Sequence, residues 1–226
     1  MVRWWCNYYK EVNRGKVYKE GGNLDHMTTK TLFPLELTDS NRAQRDYLRA
    51  KFKRYTDLRH SDLLEIGIAN GRFGVLLADK VAHYYGIDPE PEYVEMARTN
   101  IPAGAKVRYE VGSAEQIPFT QQFEIVLYAH SWHYVTDHQK ALQEAARVLK
   151  PAGIVAILEP LATNQKWHSL RLQPGSPEFD EVAYQRKRES IVRGRNTILG
   201  QNIFKIVEDE YDSRVEKDFY VLRRRE

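Results

Sequence analysis

The sequence predicts an α/β fold: a doubly wound, mostly parallel sheet that closes with an antiparallel C-terminal hairpin. Three observations predict it. Between residues 62 and 158, short apolar runs rich in β-branched and aromatic residues alternate with helical patterns, as parallel strands joined by crossover helices do. One of those runs, in the stretch LLEIGIANGRFGVLLA at 63–78, passes straight through a glycine-bearing turn into a helix. The chain then ends in two more strand-like segments separated by a short polar turn, a connection suited to an antiparallel pair.

Each element follows in order. Residues 1–60 read as an N-terminal helical cap or lid, with a basic helix near 42–55 preceded by an aromatic-rich stretch, and residues 61–226 read as the main domain. The run DLLEIGI at 62–68 is stopped by Gly and Asn and predicts a buried strand, with a helix at 71–80 after it. A second strand at 81–88 (VAHYYGID) ends at Asp88-Pro89, and a helix at 90–99 follows. Strands are expected at 107–111 and 123–128. The helix at 138–149 places Ala141, Leu142, Ala145, Val148 and Leu149 on one face at helical spacing. Lys150-Pro151-Ala152-Gly153 is expected to end that helix before a fifth strand at 154–158. Beyond it come a polar connection at 161–177, a charged helix at 178–192, and strands at 202–208 and 214–222 around a turn at 209–213.

Composition narrows the class. At 42% hydrophobic and 29% charged over 226 residues, the chain is neither disordered nor fibrous and is long enough for a sizeable core. Cys6 is the one cysteine, so no internal disulfide or cysteine-held zinc is expected, and a reducing, cytoplasmic setting follows. The first ten residues, MVRWWCNYYK, are interrupted by Arg3, Asn7 and Lys10 and do not read as a secretion signal. No apolar run approaches the ~20 residues of a membrane span. The net charge of +3 is unevenly spread, with +6 over residues 1–60, −5 over 61–159 and +2 over 160–226. That distribution fits a central cofactor-binding core with appended segments, and does not by itself call for nucleic acid.

The strand–turn–helix at 63–78 directs backbone N–H groups and a helix dipole at whatever lies above the strand end, and Gly67 and Gly71 are expected to let backbone approach that ligand closely. Asp88 ends the next strand, where an acid is well placed for ribose hydroxyls. A G-x-G-x-x-G pattern begun at Gly67 fails at Ala69 and Arg72; begun at Ala69 it reads A-x-G-x-x-G through Gly71 and Gly74. Glu65 decides between ligands. A carboxylate there would repel a pyrophosphate and suits an ammonium, which favours a nucleoside carrying an amino group over a dinucleotide.

Four blocks, LLEIGIANGRFG, YYGIDPEPEYVEMAR, VGSAEQIPF and FEIVLYAHSWHYVTDHQKALQEAARVLKPAGIVAILEP, together resemble the class I S-adenosylmethionine-dependent methyltransferases. The resemblance is to the small-molecule branch that includes the ubiquinone and menaquinone biosynthesis enzymes, and it covers residues 63–160. It implies a Rossmann-like methyltransferase fold with a seven-stranded sheet, S-adenosylmethionine as cofactor and S-adenosylhomocysteine as product. It also implies roles for individual residues. Glu65 would face the methionine amino group, with the backbones of Gly67, Ala69 and Gly71 lining methionine and ribose. Asp88 would hold the ribose hydroxyls, Pro89 would pack on adenine, and Ser113 with the Ala114 amide would read the adenine edge. The backbone at Tyr128 and Ala129 would close over the methionine. Two departures stand out: Ala69 replaces the middle glycine of the first motif, and Ser113 replaces a common aspartate.

Methyl transfer from a sulfonium depends on alignment and exclusion of water, and needs a proton acceptor only for certain nucleophiles. The expected catalytic candidates are His133, His130 and Tyr128 after the fourth strand, the two histidines being spaced to share a helical face. No carboxylate at metal-ligand spacing accompanies them, so no metal is expected. Trp4 and Tyr8, and Trp5 and Tyr9, are spaced i,i+4, and with Tyr18 and Phe33 they offer an aromatic lid; Trp167, His168 and Arg171 lie in the long connection. Trp5, Tyr9, Tyr18, Trp167 and Arg171 are the expected substrate contacts, for a small-molecule acceptor. The alternatives are an RNA or protein methyltransferase using Arg186, Lys187, Arg188, Arg193, Arg195 and Arg223–Arg225, a cofactor-binding homologue weak in catalysis, or a nicotinamide-dependent oxidoreductase. The sequence leaves the oligomeric state open.

Overall fold

The computed structural model describes residues 39–160, 174–212 and 217–225. Helix α1 (Asp39–Phe52) leads into β1 (Asp62–Ile66), α2 (Arg72–Leu77), β2 (His83–Asp88), α3 (Pro91–Thr99), β3 (Val107–Val111) and β4 (Phe123–Ala129). Then follow α4 (His138–Val148), β5 (Leu149–Pro160), α5 (Glu181–Gly200), β6 (Phe204–Asp212) and β7 (Lys217–Arg224). The strands form one seven-stranded sheet in the order β3-β2-β1-β4-β5-β7-β6, parallel from β3 to β5, with β7 antiparallel to both neighbours. The order reverses between β1 and β4, and the crevice beyond the strand carboxyl ends there is where ligands bind in sheets of this kind.

Side chains alternate across the sheet, so each face carries its own core. On one side Leu63, Ile125, Leu127, Ala156 and Leu158 pack with Tyr47, Leu48 and Phe52 of α1 and Phe73, Leu76 and Leu77 of α2. On the other, Leu64, Ile66, Val126, Tyr128, Val155 and Ile157 pack with Ala141, Leu142, Ala145 and Val148 of α4 and Ile198 of α5. Burying each large side chain contributes about 1.5–3 kcal/mol, so both layers hold the strand ends in fixed register. Helix starts follow local chemistry. Asp137 and Asp180 cap α4 and α5 by accepting from Lys140 and Ala183 N–H, each at 3.0 Å, and Pro91 opens α3.

Several boundaries differ from expectation. The first crossover helix is α-helical over Arg72–Leu77 and continues as a 3₁₀ turn, Ala78–Lys80. β5 begins at Leu149, with Lys150-Pro151-Ala152-Gly153 inside it; Phe123 pairs with Leu149, and a register irregularity before Ile125 absorbs the extra residues. α5 runs to Gly200, eight residues beyond the expected end, because Gly194 serves packing there. A Cβ at Gly194 would sit 2.9 Å from Trp132 Cδ1, and the Gly194 carbonyl accepts from Trp132 Nε1 at 3.0 Å. Residues 209–212, expected in a turn, belong to β6, which pairs with β7 as far as Asp212–Lys217.

α1 is fastened at both ends. Its C-terminal half and the turn after it reach β6, with Lys51, Arg54 and Tyr55 converging on Glu208, and Tyr47 Oη donating to Glu210 at 2.8 Å. Its N-terminal half brings Asn41 to Arg72 (3.0 Å) and Gln44 to His130 (3.0 Å), at the carboxyl edge of the sheet.

Candidate functional site

The site is built around the loop between β1 and α2. Its first N–H groups are spent inside the protein: Gly67 and Ile68 donate to the Ile87 carbonyl (2.8 and 3.1 Å), Ala69 to Asp88 Oδ2 (2.9 Å) and Gly71 to the Ile68 carbonyl (2.8 Å). The glycines therefore act otherwise than expected. Gly67 and Gly71 have φ near +80°, and a Cβ at Gly67 would lie 2.6 Å from Ser131 Cβ, while one at Gly71 would lie 3.0 Å from Ala97 Cβ. Backbone conformation and close protein packing require glycine there, so the space that the missing Cβ leaves is filled by protein and not by a ligand. Gly74 is likewise a packing glycine, since a Cβ would overlap the Tyr109 hydroxyl.

Two non-glycine residues among those described have positive φ, Ala69 (46°) and His130 (62°). They lie just past the ends of the adjacent strands β1 and β4. The departure from glycine at Ala69 thus carries backbone strain, about 1–2 kcal/mol for a left-handed residue with a Cβ. Strain of this kind gathers at ligand sites held by the surrounding structure.

Two carboxyl groups flank the loop from below. Glu65, second from the end of β1, is buried and accepts from Tyr84 Oη at 2.7 Å. Burial pushes it up to about 8, against the opposing Tyr84 hydrogen bond and the Arg72 charge. Asp88, the last residue of β2, is equally buried and accepts from Ala69 N–H and, at 3.1 Å, from Glu90 N–H. Burial raises it to about 6 despite those two bonds. Pro89 follows half-buried, and Gly112 N–H donates to the Asp88 carbonyl at 3.0 Å, setting Ser113 and the buried Ala114 beside the end of β2. Ala129 ends β4 opposite Leu158. The structure thus gathers the expected cofactor positions along one edge of the sheet.

The expected catalytic trio is not gathered. Tyr128 is fully buried, its ring edge-on to Trp132 at 4.9 Å in the core under α4, and burial holds its hydroxyl well above the ordinary tyrosine value. It is a core residue and cannot act as a base from there. His130 and His133 share no face. His130 sits in left-handed backbone against Phe73 and bonds Gln44, whereas His133 is buried on the opposite side of the sheet with Nδ1 on Glu159 and Nε2 on Lys187. Burial, reinforced by Lys187 and Lys217, keeps the His133 ring neutral, well below the usual histidine range. Trp5, Tyr9, Tyr18, Trp167 and Arg171 lie outside the described residues.

Asn41, Gln44 and Glu159 were not singled out for the site from the sequence; Tyr134 was expected only as the end of the Tyr128–Tyr134 loop shaping the acceptor pocket, and Lys187, expected on a basic surface, is instead buried. Glu159 had a signal like that of Asp88, an acid closing an apolar strand before proline. Lys187 had another, a charge at a buried helical position. A groove of about 730 Å³ runs along α5, lined by Gln185, Arg188, Val192, Arg193 and Asn196 among others, and it contains none of the expected site residues. No helix among the described residues is long and apolar enough to cross a membrane.

Comparison with known proteins agrees with this geometry. Residues 64–157 match the family described as a methyltransferase domain. Over that stretch, less than half of the chain, the sequence is similar to methyltransferases. An uncharacterised methyltransferase of Mycobacterium tuberculosis is 31% identical over 97 residues, 42% of this chain and 38% of that protein. The ubiquinone/menaquinone biosynthesis C-methyltransferase UbiE of Legionella pneumophila is 34% identical over 96 residues, 38% of each. The chain thus spans well under half the length of these curated relatives. Among solved structures, an S-adenosylmethionine-dependent methyltransferase assigned in Methanococcus maripaludis superposes with a TM-score of 0.65 at 16% identity, over 92% of this chain and 97% of that one. The N-methyltransferase NodS of Bradyrhizobium japonicum gives 0.53 at 17% identity, over 84% and 100%. At such identities the structures establish the methyltransferase fold. S-adenosylmethionine is the cofactor of this class, and the buried acids at the ends of β1 and β2 fit its ammonium and its ribose.

Proposed function

We propose that the chain transfers a methyl group from S-adenosylmethionine to a small-molecule acceptor. One observation carries the choice of ligand. Glu65 and Asp88 lie buried at the ends of neighbouring strands, beside a loop whose N–H groups at residues 67, 68, 69 and 71 already have protein partners. A pyrophosphate would find the Asp88 carboxylate, a Glu65 that offers no positive charge, and none of those four donors. A nucleoside bearing an ammonium and vicinal hydroxyls finds a carboxylate for each, which disfavours the nicotinamide reading.

In this reading Glu65 accepts from the amino group, and Asp88, already oriented by Ala69 and Glu90, accepts from the ribose. Ser113 and Ala114 meet the adenine edge. Asn41 and Gln44 of α1, with His130 bonded to Gln44, form a wall at the mouth of the crevice. When bound, the cofactor supplies an activated methyl group on a positively charged sulfur. The protein aligns an acceptor with that methyl and keeps water out. The UbiE relative, whose name places it in ubiquinone and menaquinone biosynthesis, supports a small acceptor. Calorimetric titration with S-adenosylmethionine, S-adenosylhomocysteine and NAD tests the reading. Micromolar binding of the two sulfur nucleosides and none of NAD is expected; binding of NAD alone would reverse the assignment.

A further inference from the structure

α5 turns one side to the protein interior, and its buried positions are Ala183, Tyr184, Lys187, Ile191, Gly194 and Ile198. Five of the six are apolar, small or aromatic; Lys187 is a charge at their centre. Its ammonium contacts His133 Nε2 and donates to Tyr134 Oη at 2.7 Å, lying 4.0 Å from the centre of the Tyr134 ring. His133 Nδ1 contacts Glu159 Oε2, and the other oxygen of Glu159 accepts from Trp132 N–H at 3.0 Å. Four ionisable groups therefore form an unbroken chain, Glu159–His133–Lys187–Tyr134. Three of them are buried, and it ends at a half-buried phenol. Among the described residues, Lys217, His138, Asp218 and Tyr220 are further titratable groups whose charge is coupled to this cluster. The loop that carries it starts at the carboxyl end of β4, where Ser131 packs on Gly67.

Stability alone is a poor reason for such a cluster, since apolar residues of similar volume commonly serve a core as well or better. The chain of contacts does permit something an apolar core cannot. With Lys187 charged, it donates to Nε2, and the Nδ1–H donates to an ionised Glu159. Moving one proton along the chain gives a neutral lysine, a ring protonated at Nε2 and a protonated Glu159, with every contact kept. Burial brings the two ends to similar proton affinity, raising Glu159 to about 8 and lowering Lys187 to about 7.

Resting on the methyltransferase reading, we propose that this chain is a proton relay whose outer end, Tyr134, takes the proton of a phenolic or enolic hydroxyl, the atom that receives the methyl group. With Lys187 neutral and Glu159 ionised, the acceptor's proton passes to Tyr134 oxygen as the tyrosine's own proton passes to Lys187 Nζ, an Nζ hydrogen passes to His133 Nε2 and the Nδ1 proton to Glu159. The O–H electron pair stays on the acceptor oxygen, which forms the new bond to carbon as the methyl–sulfur bond breaks and leaves its pair on sulfur. One proton per methyl transferred returns from the chain to water. A neutral amine attacks through its lone pair and needs no such relay beforehand. A phenol and tyrosine have similar intrinsic acidity, ~10, which suits direct transfer between them.

The test uses the full chain saturated with S-adenosylhomocysteine and 4-nitrophenol as probe, whose anion alone is yellow. The bound probe is expected to ionise with a constant at least about tenfold higher than in buffer, and Tyr134→Phe and Lys187→Met each to abolish that gain. Lys187→Met is checked for folding by its circular dichroism; Tyr134→Phe, at a half-buried position, carries the test if the lysine variant fails. A wild-type complex that leaves the probe neutral or unbound, or variants that ionise it equally well, overturns the relay and its acceptor class while calorimetric binding of S-adenosylhomocysteine leaves the methyltransferase reading standing. Absence of S-adenosylhomocysteine binding removes both.

Discussion

Replacing Glu65 by glutamine probes the link between the sheet and its ligand. The carboxyl group is buried with Tyr84 Oη on one oxygen, and it holds its proton up to about pH 8 against an ordinary 4.5. Because the folded value is raised, the stability this group contributes is fully present below about pH 4.5 and is lost as pH rises toward 8. At neutrality the loss is two and a half pH units at ~1.4 kcal/mol each, or roughly 3–4 kcal/mol. Glutamine has the shape of the protonated acid, can still accept from Tyr84, and never ionises. Denaturant unfolding of both proteins at pH 5 and pH 7 should therefore show the variant gaining roughly 2–3 kcal/mol over wild type between the two. Binding then supplies the complementary test. An ammonium beside Glu65 favours its carboxylate, so at pH 7 wild type should release up to about one proton on taking up S-adenosylmethionine, read as buffer-dependent calorimetric heats. Stability curves that stay parallel, or equal proton release by Glu65→Gln, would show that Glu65 neither ionises as described nor meets the amino group.

Two further substitutions examine the neighbouring contacts. Asp88→Asn should weaken S-adenosylhomocysteine at least about tenfold, ~1.4 kcal/mol, because it removes a charged acceptor from the ribose; a folded variant of unchanged affinity would dismiss the ribose assignment. Gly74→Ala should destabilise by about 1–3 kcal/mol through overlap with the Tyr109 hydroxyl, and Tyr109→Phe should restore part of the loss in the double mutant; additive losses would show that the two sites do not meet.

What could be read in the sequence was local. The strand, turn and helix at 62–77 and the acid closing β2 are adjacent in sequence, so hydrophobic pattern and turn chemistry reveal them. β5 was misjudged at its start because Lys-Pro-Ala-Gly after a helix has the composition of a stop, while the edge pairing Phe123–Leu149 that recruits Leu149 is long-range. α5 was expected to stop at residue 192, because the contact that accommodates Gly194 within the helix is with the Trp132 indole, 62 residues away. Tyr128 was misplaced because β4 is apolar on both faces, and only the packing of α4 shows which face each residue takes. Gln44 with His130 and Lys187 with His133 are pairs 86 and 54 residues apart, and no periodicity announces them.

The position of the buried acids is itself an argument for a ligand. Glu65, Asp88 and Glu159 occupy the last or next-to-last positions of β1, β2 and β5, all on the carboxyl edge of the sheet. Each is almost wholly shielded from water, and burial raises each above the ordinary carboxylate range. A chain shaped only for stability would put apolar residues at such positions, as this one does along the strand interiors at Leu64, Ile87 and Ile157. Glu159 has Lys187 and His133 to answer its charge. Glu65 and Asp88 have neutral donors as their closest partners, a tyrosine and two amides. The Arg72 charge only partly offsets the burial of Glu65, so its full ionisation calls for a further cation, and under the proposed reading the ammonium of the cofactor is that cation.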